Sequence, residues 1–348
     1  MASTRERNGR HVGLYRNAQG RQRSAGTFDT AREALKAAEH AEALANPPAT
    51  VEVHAGTKRG RVTVAGYAHA WLSGHRLEAT SRESYGALLQ HVVRELGGVC
   101  VADLDTAKCK TFFRKLEAGK LSSATVGHVR TVLRAMCRAA IDEEILDKMP
   151  EMAISPVRNR EMTVATREQA RVIEASVPVH YRTLVHTLFQ TGMRYGEAMG
   201  LGPEHVEVHE GYAVLHVGRR VITEVGGRPV VKAYGKSKNA TRDIVVPLEL
   251  GERLLAGARD GYLFRAARGG YLSRSNFRRI WKPAVKAAGV PTLRVHDARH
   301  SHASWLANDP AVPLAAVRDR LGHSSLSITS RYIHDMSGPD AILTALAA

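Results

Sequence analysis

Two polar, proline-containing stretches limit what this chain can fold into, because they divide its 348 residues into three segments. The first stretch runs from Asn46-Pro47-Pro48 to about residue 62, and the second surrounds residues 151–162. Proline ends a helix, and a polar run offers little to bury in a core. We therefore predict a module at 1–50, a linker at 51–62, a domain at 63–150, a second linker at 151–162, and a domain at 163–348 that ends in a tail helix.

The first segment predicts a small β-sheet with one helix. A strand is expected over His11–Arg16, a turn follows at Asn17–Gly20, and a second strand ends near Phe28. Thr30 and Glu33 have the spacing of a capping box for a helix over residues 31–45. This combination is typical of a compact β-sheet-plus-helix module.

Residues 63–150 predict an all-α domain. Apolar side chains recur at helical spacing in runs that begin near Val64, after Thr80-Ser81, at Thr106, and after Ser122 or Ser123. Core packing is the simplest role for these stripes.

Residues 163–348 predict a mixed, mainly helical domain. Thr166–Gln169 opens a helix, and a second helix is closed by Gly192 in a left-handed conformation. Short strands are expected in a meander over residues 213–217, 220–224, 230–233 and 244–246. Further helices are expected over residues 273–288, 297–307, 314–321 and 326–333, with the tail helix after them.

The charge balance favours a polyanionic partner. The net charge is +16 and the isoelectric point is about 10.1; residues 1–62 carry +5, residues 63–155 carry +1, and the rest carry +10. Charge alone does not separate DNA from RNA, anionic lipid or a merely solvated surface. Three cysteines without CxxC spacing indicate a reducing compartment. We expect no membrane span and no secretory signal, because no long apolar run is present.

A set of motifs in the last segment carries the chemistry. They are Thr191–Glu197 with Arg194, His296-Asp297-Ala298-Arg299, Leu321-Gly322-His323 and Arg331-Tyr332. Guanidinium groups can bind two non-bridging phosphate oxygens, histidines can exchange protons, and a tyrosine hydroxyl can attack phosphorus. Glu197 lies one turn after Arg194 and can hold its guanidinium. The set predicts cleavage of a phosphodiester by a protein nucleophile without a metal or other cofactor.

A zinc site is the alternative for the histidines. His296 and His300 have the spacing of two ligands on one helical face, and His302 follows. However, Asp297 stands where a zinc protease has glutamate, and no third ligand is evident. We therefore predict no metal.

Arg194, His296, Arg299, His323 and Tyr332 together resemble the tyrosine recombinases, also called phage integrases. The resemblance implies a DNA breaking–rejoining fold in the last segment, a SAM-like core-binding domain at 63–150 and an arm-type DNA-binding module at 1–50. It also implies that Tyr332 forms a 3′-phosphotyrosyl link, releases a 5′-hydroxyl and needs no ATP.

The family uses a hairpin lysine to protonate the leaving 5′-oxygen. In the run from Gly235 to Asp243 the resemblance makes Lys236 the first candidate and Lys238 the second. It also makes Lys238 and Arg242 candidate DNA contacts. In the first segment, the arm-type module implies DNA contacts by Arg16, Arg21 and Arg23.

The implied partner is double-stranded DNA with core and arm attachment sites, on which the protein forms a tetramer. The resemblance implies integration and excision of a phage or mobile element in the bacterial cytoplasm, at the nucleoid, with a directionality factor and a DNA-bending host protein as helpers. Two alternatives stay open: relaxation of DNA by a type IB topoisomerase, and a catalytically inactive DNA-binding regulator. Delivery of Tyr332 in cis or in trans fits the sequence equally.

Overall fold

The computed structural model describes residues 2–7, 9–17, 20–45, 62–156, 162–233 and 241–330. The chain forms two compact units, Met1–Val62 and Thr63–Ala348. The further boundary at residues 151–162, within the second unit, stays a prediction.

The first unit is a three-stranded antiparallel sheet with one helix. Its strands are β1 (Ser3–Arg7), β2 (Arg10–Arg16) and β3 (Gln22–Phe28), in that order across the sheet, followed by α1 (Ala31–Ala45). The Oγ1 of Thr30 accepts the N–H of Glu33 at 3.2 Å, as the predicted cap requires. α1 packs closely on β2, because a Cβ added to Gly13 would lie 2.3 Å from the carbonyl oxygen of Ala34.

The second unit begins with helices α2 (Val64–Gly74), α3 (Ala79–Leu96), α4 (Thr106–Glu117) and α5 (Ser123–Asp142). Thr63, Asp105 and Ser122 cap three of them through side-chain oxygens. The predicted apolar stripes are largely buried, as Phe113 and Leu133 show. α3 begins before Thr80-Ser81, after Glu78, which makes no capping hydrogen bond.

The rest of the second unit surrounds one large core. Its helices are α6 (Arg167–Ser176), α7 (Val179–Thr191), α8 (Tyr195–Gly200), α9 (Leu248–Ala256), α10 (Arg274–Ala287), α11 (Asp297–Ala307), α12 (Leu314–Leu321) and α13 (Leu326–Thr329). Thr166 and Gln169 form both bonds of a capping box at the start of α6. Phe277 and Trp281 of α10 are almost fully buried in this core. The end of the predicted helix 326–333 and the tail helix lie outside the described residues.

The predicted meander is wrong. The strands are β4 (Val206–His209), β5 (Tyr212–Val217), β6 (Val221–Val225), β7 (Arg228–Lys232) and β8 (Arg242–Pro247). β5 pairs with β4 and β8, whereas β6 and β7 form a separate two-stranded ribbon between β5 and β8 in sequence. Local alternation locates strands but does not specify their partners, so the sequence pattern missed this long-range pairing.

The β6–β7 ribbon contacts α3. The N–H of Gly226 lies 3.1 Å from both carboxylate oxygens of Glu83, and Lys232 forms an ion pair with Glu78. The ribbon therefore joins the helices at 63–142 to the rest of the second unit. Within the described part of the chain, none of the helices combines the length and apolar character that crossing a bilayer demands.

Candidate active site

Arg194 stands at the turn between α7 and α8. Gly192 ends α7 with φ +63°, and its N–H bonds to the carbonyl of Leu188. The chain then reverses, and Arg194 precedes the first residue of α8. Its side chain is 45% exposed, so a charged fork faces solvent on a rigid turn.

Glu197 holds Arg194 in place, as the sequence predicted. One carboxylate oxygen lies 2.8 Å from Nη1 of Arg194, and the other accepts its main-chain N–H at 2.8 Å. Burial alone would raise the pKa of Glu197. The charges of Arg242 and Arg194 outweigh burial and hold that pKa below its usual range.

Arg242, which the sequence made a candidate DNA contact, lies buried inside the protein. Its side chain is 7% exposed, and Nη2 lies 2.9 Å from Glu197 while Nε donates to the carbonyl of Arg320 at 2.6 Å. This burial indicates that Arg242 supports Glu197 from inside the protein and does not face a DNA backbone.

Arg299 lies almost fully buried on α11 and bridges two other segments. Nη1 donates to the carbonyl of Gly192 at 2.8 Å, and Nη2 donates to the carbonyl of Leu321 at 2.6 Å. The guanidinium is thus held between the α7–α8 turn and the end of α12. A guanidinium fixed in this way needs little reorganisation when a phosphate arrives.

His296 lies at the N-terminus of α11 and is exposed. Its ring meets that of His300 edge to face, with centroids 4.9 Å apart. Partial desolvation, together with His300 and the positive charges of Arg299 and Arg194, lowers the pKa of His296. The imidazole is therefore neutral near pH 7.

His323 follows α12, which ends at Gly322 with φ +67°. The ring nitrogen Nδ1 is hydrogen-bonded to Oγ1 of Thr329 at 2.9 Å, and the residue is 7% exposed. Burial, and then the charges of Arg299, Arg194 and Arg242, lowers the pKa of His323 to about 4. Because these arginines act on the same imidazole, the site is a compact cluster of positive charge.

The predicted cluster of Arg194, His296, Arg299 and His323 is therefore assembled from three separate stretches of chain. Tyr332, Lys236 and Lys238 lie outside the described residues. Ser330, at the end of α13, is the last described residue and precedes Tyr332 by two positions.

The geometry does not favour zinc at the histidines. His302, the only further histidine in that run, has both ring nitrogens engaged, with the carbonyl of Phe189 at 2.9 Å and Nε of Arg320 at 3.1 Å. Over the described ranges, no three His, Cys, Asp or Glu side chains are grouped as metal ligands would be.

The N-terminal arginines Arg16, Arg21 and Arg23 are exposed, but they do not share one face of the sheet. Gly13 lies on the face that α1 covers, and side chains alternate along β2, so Tyr15 shares that face and Arg16 does not. Arg23 pairs with Tyr15 across β2 and β3, which places Arg23 on the covered face.

The open face carries arginines that the sequence reading missed. Arg7 pairs with Arg10, and alternation along the strands places Arg5 and Arg16 on the same face. The missed signal is Asn8-Gly9, a dipeptide favoured in two-residue hairpins, and Gly9 has φ +70°.

Comparison with known proteins gives consistent matches. The model of the phage integrase family matches residues 162–337. A putative prophage phiRv2 integrase of Mycobacterium tuberculosis (strain H37Rv) is 29% identical over 293 residues, covering 80% of this chain and 76% of the relative.

Two solved structures share the fold. One is the Tn1549 transposon integrase in complex with a circular intermediate DNA, with TM-score 0.70 and 16% identity over 82% of this chain and 99% of that chain. The other is a lambda integrase tetramer bound to a Holliday junction, with TM-score 0.59 and 18% identity over 97% of this chain and 96% of that chain.

Proposed function

Because this chain belongs to the phage integrase family and is a site-specific tyrosine recombinase, we propose that Tyr332 is its nucleophile. The phosphate would be bound by Arg194, His296, Arg299 and His323. The convergence of these four side chains from three stretches of chain is the observation that carries the proposal.

The cluster suits the charge that develops during the reaction. A pentacoordinate phosphorane carries more negative charge than the diester, so fixed cations stabilise it more than the ground state. Arg299 is buried and held by two carbonyls, and each comparable fixed donor supplies about 3 kcal/mol in other enzymes. Arg194 is half-exposed, so its guanidinium is accessible to a phosphate while Glu197 holds it.

Proton transfers complete the step. The Tyr332 oxygen bonds to phosphorus, the bond from phosphorus to the 5′-oxygen breaks, and the neutral His323 imidazole takes the tyrosine proton. The leaving 5′-oxygen receives a proton from Lys236, with Lys238 as the second candidate. Rejoining reverses these transfers, which is why no ATP is consumed.

The position of Arg242 supports the choice of a lysine within residues 234–240 as the proton donor to the leaving oxygen. That segment starts after β7 and ends near Arg242, whose guanidinium binds Glu197 beside Arg194. The described residue Arg242, which follows this segment in sequence, therefore lies at the site. The same contact with Glu197 favours a supporting role for Arg242 in this proposal.

We assign residues 63–150 as the core-binding domain, 163–348 as the catalytic domain, and 1–50 as an arm-type module. In the module, the open face with Arg5, Arg7, Arg10 and Arg16 would meet the DNA backbone. The chain would act as a tetramer on core and arm sites, as the lambda integrase tetramer on a Holliday junction suggests. Its place would be the bacterial cytoplasm, with a directionality factor and a DNA-bending protein as helpers.

Trapping on a nicked duplex that carries a candidate attachment site tests the nucleophile. Loss of the short fragment beyond the nick prevents rejoining, so the covalent adduct accumulates and runs as a shifted band on a denaturing gel. We expect peptide mapping to find the adduct on Tyr332, and we expect Tyr332→Phe to bind DNA without forming it. Tyr212→Phe, the same change at an exposed strand residue, should form adduct normally.

Three results would contradict the proposal. An adduct on another residue removes Tyr332 from its role. Equal trapping on random duplexes favours the topoisomerase alternative. DNA binding without any adduct in the unaltered protein favours the inactive regulator.

A further inference from the structure

Arg320 and His302 form a polar pair behind the proposed active site. Nε of Arg320 donates to Nε2 of His302 at 3.1 Å, while Nη1 and Nη2 donate to the carbonyls of Val245 and Gln190 at 2.9 and 3.0 Å. Arg320 thereby joins α12 to β8, α7 and α11. Neither residue belongs to the cluster that the sequence predicted.

The hydrogen-bond pattern fixes the protonation of His302. A guanidinium can only donate, so Nε2 accepts, and Nδ1 carries the hydrogen that it donates to the carbonyl of Phe189 at 2.9 Å. Burial, and then the charges of Arg320, Arg299 and Arg167, lowers the pKa of His302 to about 3. The ring is therefore a neutral, oriented bridge between α7 and α12.

Both carbonyls that bind Arg299 lie next to this pair. Leu321 directly follows Arg320, and Gly192 lies two residues after Gln190, which Arg320 binds. The His302 ring also packs on Gly192, since a Cβ added there would lie 2.7 Å from its Cδ2. The carbonyl of Arg320 itself accepts from Arg242, the partner of Glu197.

We propose that Arg320 and His302 are positioning residues that hold the Gly192 and Leu321 carbonyls, and through them the phosphate-binding guanidinium of Arg299. This inference rests on the proposed function. Stability alone does not explain the pair, because an apolar pair of similar volume is commonly as stable as a buried charged one. The pair does supply directional bonds to three backbone carbonyls, two in α7 and one in β8, which apolar side chains cannot supply.

Single-turnover cleavage of the nicked duplex, at saturating DNA, tests the role. Arg320→Met and His302→Gln should each slow cleavage by about tenfold to 100-fold, because small misplacements of a catalytic group have effects of that size. The Kd for the duplex should change by less than about threefold, because DNA binding rests on many other contacts. His302→Gln is the milder change, since its amide can satisfy one of the two partners.

Two controls separate positioning from simple loss of folding. Arg318→Met makes the same change two residues earlier on α12 and should cleave normally, because within the described part of the chain the Arg318 side chain pairs with its neighbour Asp319 alone. The double variant His302→Phe with Arg320→Met also removes the buried Nε2 acceptor that Arg320→Met alone leaves without its donor, so it should unfold at a denaturant midpoint near that of the original protein. It should nevertheless stay slow in cleavage.

A substrate with an uncharged methylphosphonate at the scissile position reports on Arg299 directly. The unaltered protein should cleave it much more slowly than phosphate, because Arg299 then lacks one charged oxygen. The ratio of the cleavage rate on phosphate to that on methylphosphonate should be smaller in Arg320→Met than in the unaltered protein, and smaller also in Arg299→Ala.

The inference is overturned if folded Arg320→Met and His302→Gln cleave at the original rate, or if the slow variants retain the original methylphosphonate ratio. If Arg299→Ala itself cleaves at the original rate, the proposed function fails and the inference falls with it. If Arg299→Ala cleaves slowly while Arg320→Met and His302→Gln cleave at the original rate, the inference is rejected and the proposed function stands.

Discussion

Glu197 shows how one buried carboxylate organises two arginines of opposite exposure. Arg194 is 45% exposed and Arg242 is 7% exposed, and both reach the same side chain. Removing either cationic partner of a buried carboxylate destabilises the fold, because the remaining charge is less well compensated. Glu197 therefore couples the position of Arg194, which is proposed to bind the phosphate, to Arg242 in the interior of the domain.

Removing Arg242 tests this coupling. Arg242→Met should lower the free energy of unfolding by about 3 kcal/mol, because it leaves a buried charge with one fewer partner. Arg253→Met removes the Glu174 partner at a more exposed site, with side chains 36% and 20% exposed, and should cost about 1 kcal/mol or less. Urea denaturation at pH 7.5 measures both, and equal costs would contradict the expectation.

His323 should make stability depend on pH. Its folded pKa, about 4, lies below the unfolded value, so the unfolded chain binds the proton first as pH falls. Stability from this group is complete above about pH 6.5 and is lost towards pH 4, by up to about 3 kcal/mol.

Urea denaturation at a series of pH values between 4.5 and 7.5 measures this loss. The unfolding free energy of His323→Gln should fall less steeply with decreasing pH than that of the original protein. The two slopes should differ by at most the contribution of one proton taken up on unfolding. His69→Gln, the same change at an exposed residue of α2, should keep the original slope. Parallel curves for the original protein and His323→Gln would refute the assignment.

At this scale the sequence predicted side chains that the fold brings together as a candidate site, and it missed the residues that support them. The motifs identified Arg194, Glu197, His296, Arg299 and His323 because each stands in a short, ordered pattern. The role of Arg242 and the Arg320–His302 pair depend on burial and on backbone carbonyls from distant segments. A linear pattern contains no information about either.

Gly192 shows why the α7–α8 turn needs glycine. Its φ of +63° lies in the left-handed region, and an added Cβ would lie 2.7 Å from His302 Cδ2 and 2.8 Å from Leu321 Cδ2. The turn thus combines a backbone requirement with close packing against α11 and α12. Its carbonyl is one of the two that bind Arg299.

Gly192→Ala should lower the free energy of unfolding by about 3 kcal/mol, from left-handed strain and overpacking together. Gly289→Ala is a matched control with φ +73° and open space around the added Cβ, and should cost about 1 kcal/mol. Thermal unfolding of the two variants compares them. Equal losses would show that packing against His302 and Leu321 contributes nothing.

Element boundaries were predictable where local chemistry marks them. The predicted bounds of α11 and α12 agree with the structure, and α6 and α7 begin or end at recognised caps. The short elements β1, β4 and α8 were missed, as was α9, because few residues give too little periodicity to detect. The strand order was missed because β5 and β8 meet across a long intervening segment.

The contact between α3 and the β6–β7 ribbon links the two halves of the second unit. It includes the Glu83 carboxylate on the Gly226 N–H and the Glu78–Lys232 ion pair. Both pairs are exposed enough to contribute little to overall stability. If DNA is enclosed between these halves, the contact should slow its release.

Glu78→Ala with Glu83→Ala should therefore release a bound duplex several-fold faster, with less than about 1 kcal/mol lost in unfolding free energy. Stopped-flow displacement of a labelled duplex at low salt measures the dissociation rate. Glu95→Ala breaks a comparable ion pair, with Lys115, within the helices alone and should leave release unchanged. Slower release in the double variant would mean that the contact opposes DNA binding.

The separate β6–β7 ribbon has a consequence for how such a protein can diverge. Because β5 pairs with β8 directly, lengthening or shortening the ribbon leaves that ladder in register. The base of the ribbon is fixed by packing, since Ile222 is buried and a Cβ added to Gly196 would lie 2.5 Å from its carbonyl oxygen, so changes of length belong at the tip. A graft restricted to the ribbon tip at Gly226 and Gly227 would keep both this ladder and the proposed acid Lys236, and would exchange only the contact with Glu83.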